Sequence, residues 1–225
     1  MYNSIYTVRR CDMNYAIVFV TGYLVCCINS AYLIARAKGF DIRTVGSKNP
    51  GTSNAFITLG PAWGVLVGAI DILKTAAVVY FAGRIFADTS YIMAVAATGC
   101  LVGNVFPATL RFRGGKGFAA FMGVVLAYNW IVFLACVAIV AAATLITDHM
   151  VVGTFIVIGS FPIVVLFLTN EWITFFAILA CSILIFCRHS ENIRRLKDGT
   201  EIGLRGCGKN RVSTHPEDEQ SNRYL

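Results

Sequence analysis

The chain is 225 residues long, 57% hydrophobic and only 14% charged, with a formal net charge of +7 and a mean hydropathy of +0.69. Those values exclude a soluble globular domain. Its cations sit between apolar runs, the distribution of a membrane protein, and they call for no nucleic-acid partner.

In chain order, long apolar runs fall at about 14–35, 62–86, 91–110, 117–128, 130–147, 150–168 and 172–187. The expected fold is therefore all-α, a polytopic membrane protein of about seven transmembrane helices. Five runs are long enough, or nearly so, to cross ~30 Å of hydrocarbon. The run 117–128 is short and reads as a half-span. A rival count fuses 117–147 into one bent pair and leaves 172–187 interfacial, which gives five spans.

Three polar stretches separate these runs. After the first run comes Gly46-Ser-Lys-Asn-Pro-Gly-Thr-Ser-Asn54. Its glycines and proline oppose regular helix, and closely spaced Ser, Asn and Thr donors suit a loop wrapped around an oxyanion. A solvated turn with local side-chain-to-backbone bonds is the plain alternative. Next, Gly114-Gly-Lys-Gly117 opens the fourth run. Glycine backbone N–H groups can converge into a nest there, with Lys116 adding a point charge, and a nest that opens a helix suits phosphate. The spacing is not that of a nucleotide-binding P-loop. The third stretch, Arg188-His-Ser-Glu-Asn-Ile-Arg-Arg-Leu-Lys-Asp-Gly-Thr-Glu201, follows the last run. A helix there puts His189 and Asn192 on one face, with Gly199 as its stop. A basic helix lying on anionic lipid is its alternative reading.

Of 19 Lys and Arg residues, four follow the first run, three lie between the third and fourth, and eight follow the seventh, fifteen in all on one side. The positive-inside rule then places the N-terminus outside, and the C-terminus and all three polar stretches in the cytoplasm. Residues 1–13 read as an N-terminal arm, 14–202 as the membrane domain and 203–225 as a polar, disordered tail. The eight cysteines include no C-x-x-C pair, so neither a metal site nor a disulfide framework is expected. Asp71 and Lys74, three residues apart inside an apolar run, are expected to pair or to face a polar cavity. Asn29 and Asn104 are expected to bond between helices.

Together the three stretches resemble the bacterial acyl-phosphate:glycerol-3-phosphate acyltransferase family, with motifs of the form G-S-x-N-x-G-x-T/S-N, G-G-K-G and H-x-E-N-I-x-R-L. Similarity extends through Tyr32-Leu-Ile-Ala-Arg36, Asp41-Ile-Arg43, Asp71-Ile-Leu-Lys74 and Gly199-Thr-Glu201, so it covers about residues 14–202. The resemblance implies transfer of an acyl group from acyl phosphate to glycerol-3-phosphate in the first acylation of phospholipid synthesis. It implies a seven-helix fold, no cofactor or metal, and a monomer in the lipid bilayer of a bacterial inner membrane with its site on the cytoplasmic face. Carried over by motif, His189, Asn192, Ser47 and Lys116 are the expected catalytic residues. Gly46, Asn49, Gly51, Asn54, Gly114, Gly115, Gly117 and Arg43 are expected to bind substrate. The chain departs from the pattern at Ile57, where the family has an arginine thought to hold glycerol phosphate. It departs again at Asn104, in place of a histidine, and at Asp148-His149, in place of a basic residue.

An acyl phosphate is a mixed anhydride with a good leaving group, so the task is positioning two dianionic head groups. His189 is the expected base, its ring held by Asn192, with an acidic limb near the ordinary histidine pKa of ~6.5. In a rival scheme the acyl phosphate's own oxygens take the proton. Ala119, Ala120 and Gly123 are expected to admit the acyl chain. Two other classes of function are weighed: a divergent paralogue with another acceptor or a scaffold role, and a transporter of a phosphorylated solute.

Overall fold

The computed structural model describes residues 2–201 and Gly203, with backbone alone for 2–11. The calls on the tail 203–225 otherwise lie outside the described residues. Ten α-helices run in order: α1 Tyr2–Cys26, α2 Ser30–Ala37, α3 Thr52–Leu59, α4 Pro61–Ile85, α5 Ile92–Val105, α6 Phe118–Tyr128, α7 Trp130–Thr147, α8 Met150–Thr169, α9 Trp172–Arg188 and α10 Ser190–Lys197. Among the described residues there is no strand. Five stretches are long and apolar enough to cross a membrane: Asp12–Ala37, Pro61–Ile85, Ile92–Leu110, Trp130–Thr147 and Met150–Thr169. Trp172–Arg188 bends by 49° into the polar helix Ser190–Lys197, a pair that adds a sixth only when counted as one span, and Phe118–Tyr128 is a shorter apolar helix. All seven apolar runs are thus helical.

Three features differ from expectation. The α1 backbone already begins at Tyr2, so helix continues through the residues read as an arm. The first span breaks at residues 27–29, where Asn29 in an extended conformation caps α2 by accepting from the Tyr32 N–H at 2.8 Å. And helix α3 starts at Thr52, inside the stretch expected to be irregular. Pro50 and Gly51 do prevent helix, but only up to that point.

The core lies where α6 crosses the bundle, with Phe121, Val124, Val125, Val157, Phe161, Ile178 and Ile185 fully shielded. Outward-facing Leu66, Phe81, Leu134 and Phe167 are exposed, as lipid contact requires. Helices approach through small residues: a Cβ at Gly99 or Gly103 of α5 would overlap the α1 carbonyls of Phe19 and Tyr23. This is the small-xxx-small packing of membrane helices. Gly123 of α6 likewise lies against the Ile72 carbonyl of α4, and Ala120 is fully buried. These two residues form a helix–helix seam, which corrects the reading of them as an acyl-chain slot.

With 11 residues, α6 is about 16 Å long, while α7 with 18 is about 27 Å. The two form an antiparallel hairpin through Asn129, whose side chain caps α7 by accepting from the N–H groups of Ile131 and Val132.

Candidate active site

The first polar stretch is shaped by Asn54. Its side-chain oxygen accepts from the Ser47 N–H at 2.8 Å, and its amide donates to the carbonyls of Ile42 at 2.9 Å and Val45 at 3.1 Å. Asn54 is fully buried, and a Cβ at Gly46 would collide with its side-chain oxygen. Neither residue lines a cavity. Their place is in shaping the loop, outside the lining of either cavity, which differs from the substrate-binding role that the motif implies. Ser47, Asn49 and Gly51 do face the cavities. Gly51 precedes α3 without a side-chain cap, and the Thr52 hydroxyl beside it is buried without a partner.

In the second stretch the Gly114 N–H donates to Val105 O at 3.2 Å and the Gly115 N–H to Asn104 O at 3.1 Å. These bonds prolong α5 past its end, so the two glycines are not the anion-binding donors. A Cβ at Gly114 would overlap the Asn104 carbonyl and the Pro107 ring. A helix N-terminus able to take an anion follows two residues further on. Gly117, at φ +88°, caps α6 in the left-handed region that glycine adopts freely. Helix geometry then leaves the N–H groups of Phe118, Ala119 and Ala120 without intrahelical partners. Lys116 is half-buried beside them and donates to the Asn192 side-chain oxygen. Burial holds its ammonium pKa below the ordinary value, partly offset by Glu201 and Glu191.

The third stretch bends at His189, which is 6% exposed. Its Nδ1 lies 2.8 Å from the Ile185 carbonyl. A carbonyl only accepts, so Nδ1 carries the hydrogen and Nε2 is left as an acceptor. The ring meets Phe155 edge-on at 5.9 Å. Burial, with Lys116 and Arg188 nearby, brings the His189 pKa down to about 4. Asn192 does not hold this ring: its oxygen accepts from Lys116 and its amide donates to Glu201 Oε1 at 2.5 Å. Lys116, Asn192 and Glu201 form one chain, and Glu201 Oε2 is buried without a partner. In sequence Glu201 marks only the end of the motif region. The helix stop at Gly199, which turns the chain back, was the available signal.

Two cavities meet at these stretches. A vestibule of about 1020 Å³ is lined by Arg36, Arg43, Lys48, Arg111, Arg113, Gly114, Lys116 and Arg188, against only Asp41 and Glu191. Asp41 is already paired: Arg43 donates to it from Nε at 3.0 Å and from Nη2 at 2.8 Å, which holds the carboxyl at a pKa of about 2. Arg43 also stacks on Tyr32 at 4.9 Å. The second cavity, about 610 Å³, is lined by Gly115, Gly117, Ala119, Asn104, His189, Asn192 and Glu201 at one end. Ile72, Met122, Val137, Val140, Ala141 and Leu145 line the rest. Its rim residues Val65 and Leu145 are exposed on the membrane-facing surface of α4 and α7. Ser47, Asn49 and Lys116 belong to both cavities. Ile57 is buried in the apolar wall, so no cation stands at that position.

Residues 16–199 match the family model described as glycerol-3-phosphate acyltransferase. A glycerol-3-phosphate acyltransferase of Clostridioides difficile is 36% identical over 193 residues, covering 84% of this chain and 94% of its own length. That of Endomicrobium trichonymphae is 40% identical over 184 residues, covering 81% and 92%. The crystal structure of PlsY, an integral membrane glycerol 3-phosphate acyltransferase, superimposes in its glycerol 3-phosphate form with a TM-score of 0.80 at 29% identity. That match covers 84% of this chain and 95% of the other. Its lysophosphatidic acid form gives a TM-score of 0.76.

Proposed function

The chain belongs to the glycerol-3-phosphate acyltransferase family, is a membrane enzyme that acylates glycerol-3-phosphate, and, we propose, takes its acyl group from acyl phosphate at the junction of the two cavities. The supporting observation is that a cation-lined vestibule and an apolar cavity share Ser47, Asn49 and Lys116. The vestibule suits the phosphate of glycerol-3-phosphate, with Arg43, Arg113 and Arg188 within its walls. The apolar cavity suits the acyl chain and opens to lipid past Val65 and Leu145. The donor's phosphate then lies at the α6 N-terminus beside Lys116, where N–H dipoles favour an anion.

In the reaction, the glycerol hydroxyl oxygen bonds to the acyl carbonyl carbon and the carbon–oxygen bond to phosphate breaks. The hydroxyl proton leaves with the phosphate, whose oxygens accept it. The His189 ring is buried, its Nδ1 is held by the Ile185 carbonyl, and burial lowers its pKa, all of which make it a poor base. His189 Nε2 therefore accepts the hydroxyl hydrogen bond and aligns the oxygen, a positioning effect. Ser47 and Lys116 steady the negative charge that develops on the carbonyl oxygen and the departing phosphate. Ile57 leaves the vestibule arginines to carry the acceptor's charge. One chain lines both cavities, which supports a monomer, and the fifteen-cation asymmetry supports a site on the cytoplasmic face; a bacterial inner membrane is the location the family likeness suggests.

Purified protein in mixed micelles, given glycerol-3-phosphate with palmitoyl phosphate, palmitoyl-CoA or palmitoyl-acyl carrier protein, tests the donor. Product is expected with palmitoyl phosphate alone, and equal rates with a thioester would overturn the assignment.

A further inference from the structure

The break in the first span at residues 27–29 bonds to several parts of the site; it lines neither cavity itself, while its partners Thr109 and Pro50 line the vestibule and Asp71 the second cavity. A helix interrupted in hydrocarbon frees backbone groups that must find partners. Here the partners come from three places: the linker after α5, α4 and the Ser47 loop. The Cys27 carbonyl accepts from the Thr109 hydroxyl at 2.6 Å, in the linker that leads to Lys116. The Ile28 carbonyl accepts from Lys74 Nζ of α4 at 2.5 Å. Asn29, besides capping α2, donates its amide to Pro50 O at 2.9 Å, in the Ser47 loop. Ser30 donates to Asp71 at 2.8 Å, and Lys74 completes the set by pairing with the same carboxylate at 2.7 Å.

Burying a Lys–Asp pair inside a span is costly and does not by itself stabilise a fold. A capping serine would serve α2 without reaching Pro50, so the Asn29 amide has a second task. The two polar loops also touch directly: a Cβ at Gly115 would sit 3.3 Å from Pro50 O. Their relative placement is thus a matter of tenths of an ångström.

We propose that the 27–29 break is a positioning hub, in which Asn29, Thr109 and the Asp71–Lys74 pair hold the Ser47 loop in register with Lys116 and the α6 N-terminus. The hub rests on the assignment of Ser47 and Lys116 to the reaction centre. It acts on the rate of transfer rather than on substrate affinity, because misplacing a group by about 1 Å can cost ~100-fold in rate.

The test uses the full chain in detergent, with kcat, KM for glycerol-3-phosphate and thermal midpoint measured together. Asn29→Ser keeps an effective helix cap and removes only the Pro50 bond. It is expected to lower kcat by ~10–100-fold, with a smaller change in KM and a midpoint close to that of the unaltered chain. Thr109→Val is expected to do the same, and Thr109→Ser, which restores the donor, to recover the rate. Unchanged kcat in Asn29→Ser and Thr109→Val would overturn the proposal. So would losses that merely follow a fallen midpoint, or a Thr109→Ser variant no better than Thr109→Val. Lys116→Ala is run beside them: if it keeps full activity, the reaction-centre assignment fails separately from the hub.

Discussion

An imidazole in water protonates near pH 6.5, and sequence supplies no reason to assign His189 another value. The fold does, by burying it and setting Lys116 and Arg188 near it, which brings the pKa down to about 4. The folded state resists protonation, while the unfolded chain takes up a proton below ~6.5. Its contribution to stability is therefore complete above pH 6.5 and is lost as pH falls through 4. In the proposed mechanism the acidic limb of kcat belongs to the substrate phosphate rather than to His189. His189→Gln is expected to slow transfer by ~10–100-fold and to leave that limb in place. A limb that vanished in the variant would return the proton to His189. The residue types and their grouping were legible in the motifs. The bonding pattern was not, because Asn192 is as close in sequence to His189 as to any partner, yet its amide serves Lys116 and Glu201.

At the scale of elements, α6 decides where an anion can bind. Its Gly-Gly-Lys-Gly entry divides into two tasks: Gly114 and Gly115 extend the α5 hydrogen bonding, and Gly117 opens the next helix. That division depends on where α5 ends, which local sequence does not reveal. Gly114→Ala is expected to destabilise by about 1–3 kcal/mol through overpacking and to remove most activity by displacing Lys116. Gly159→Ala, in α8 with open space around its position, is expected to leave activity unchanged and to stabilise by up to ~1 kcal/mol. Equal effects at the two positions in a thermal melt and a rate assay would discredit the close-approach argument. The apolar runs were legible because a span must be hydrophobic throughout. The 27–29 break and α3 were not, since both depend on partners far along the chain.

For the whole molecule, two solvents meet in one site. In the proposed reading the vestibule receives a water-soluble dianion, while the cavity behind it opens past Val65 of α4 and Leu145 of α7. The three motifs foretold the polar half, but the opening past Val65 and Leu145 is a product of packing, since α7 is the least buried of the spans. A lateral opening changes what concentration means for each reactant. A long-chain donor entering that way would arrive by diffusion in two dimensions, with its supply set by its mole fraction in the membrane phase. At fixed bulk donor, raising the detergent content of mixed micelles is expected to lower the rate in proportion to that fraction, while the KM for glycerol-3-phosphate stays constant. A rate indifferent to detergent would mean the donor enters from water. The same geometry gives the reaction a direction in space: the acyl product leaves into the sheet that its donor came from, phosphate escapes to the aqueous side, and each turnover moves material from solution into the membrane.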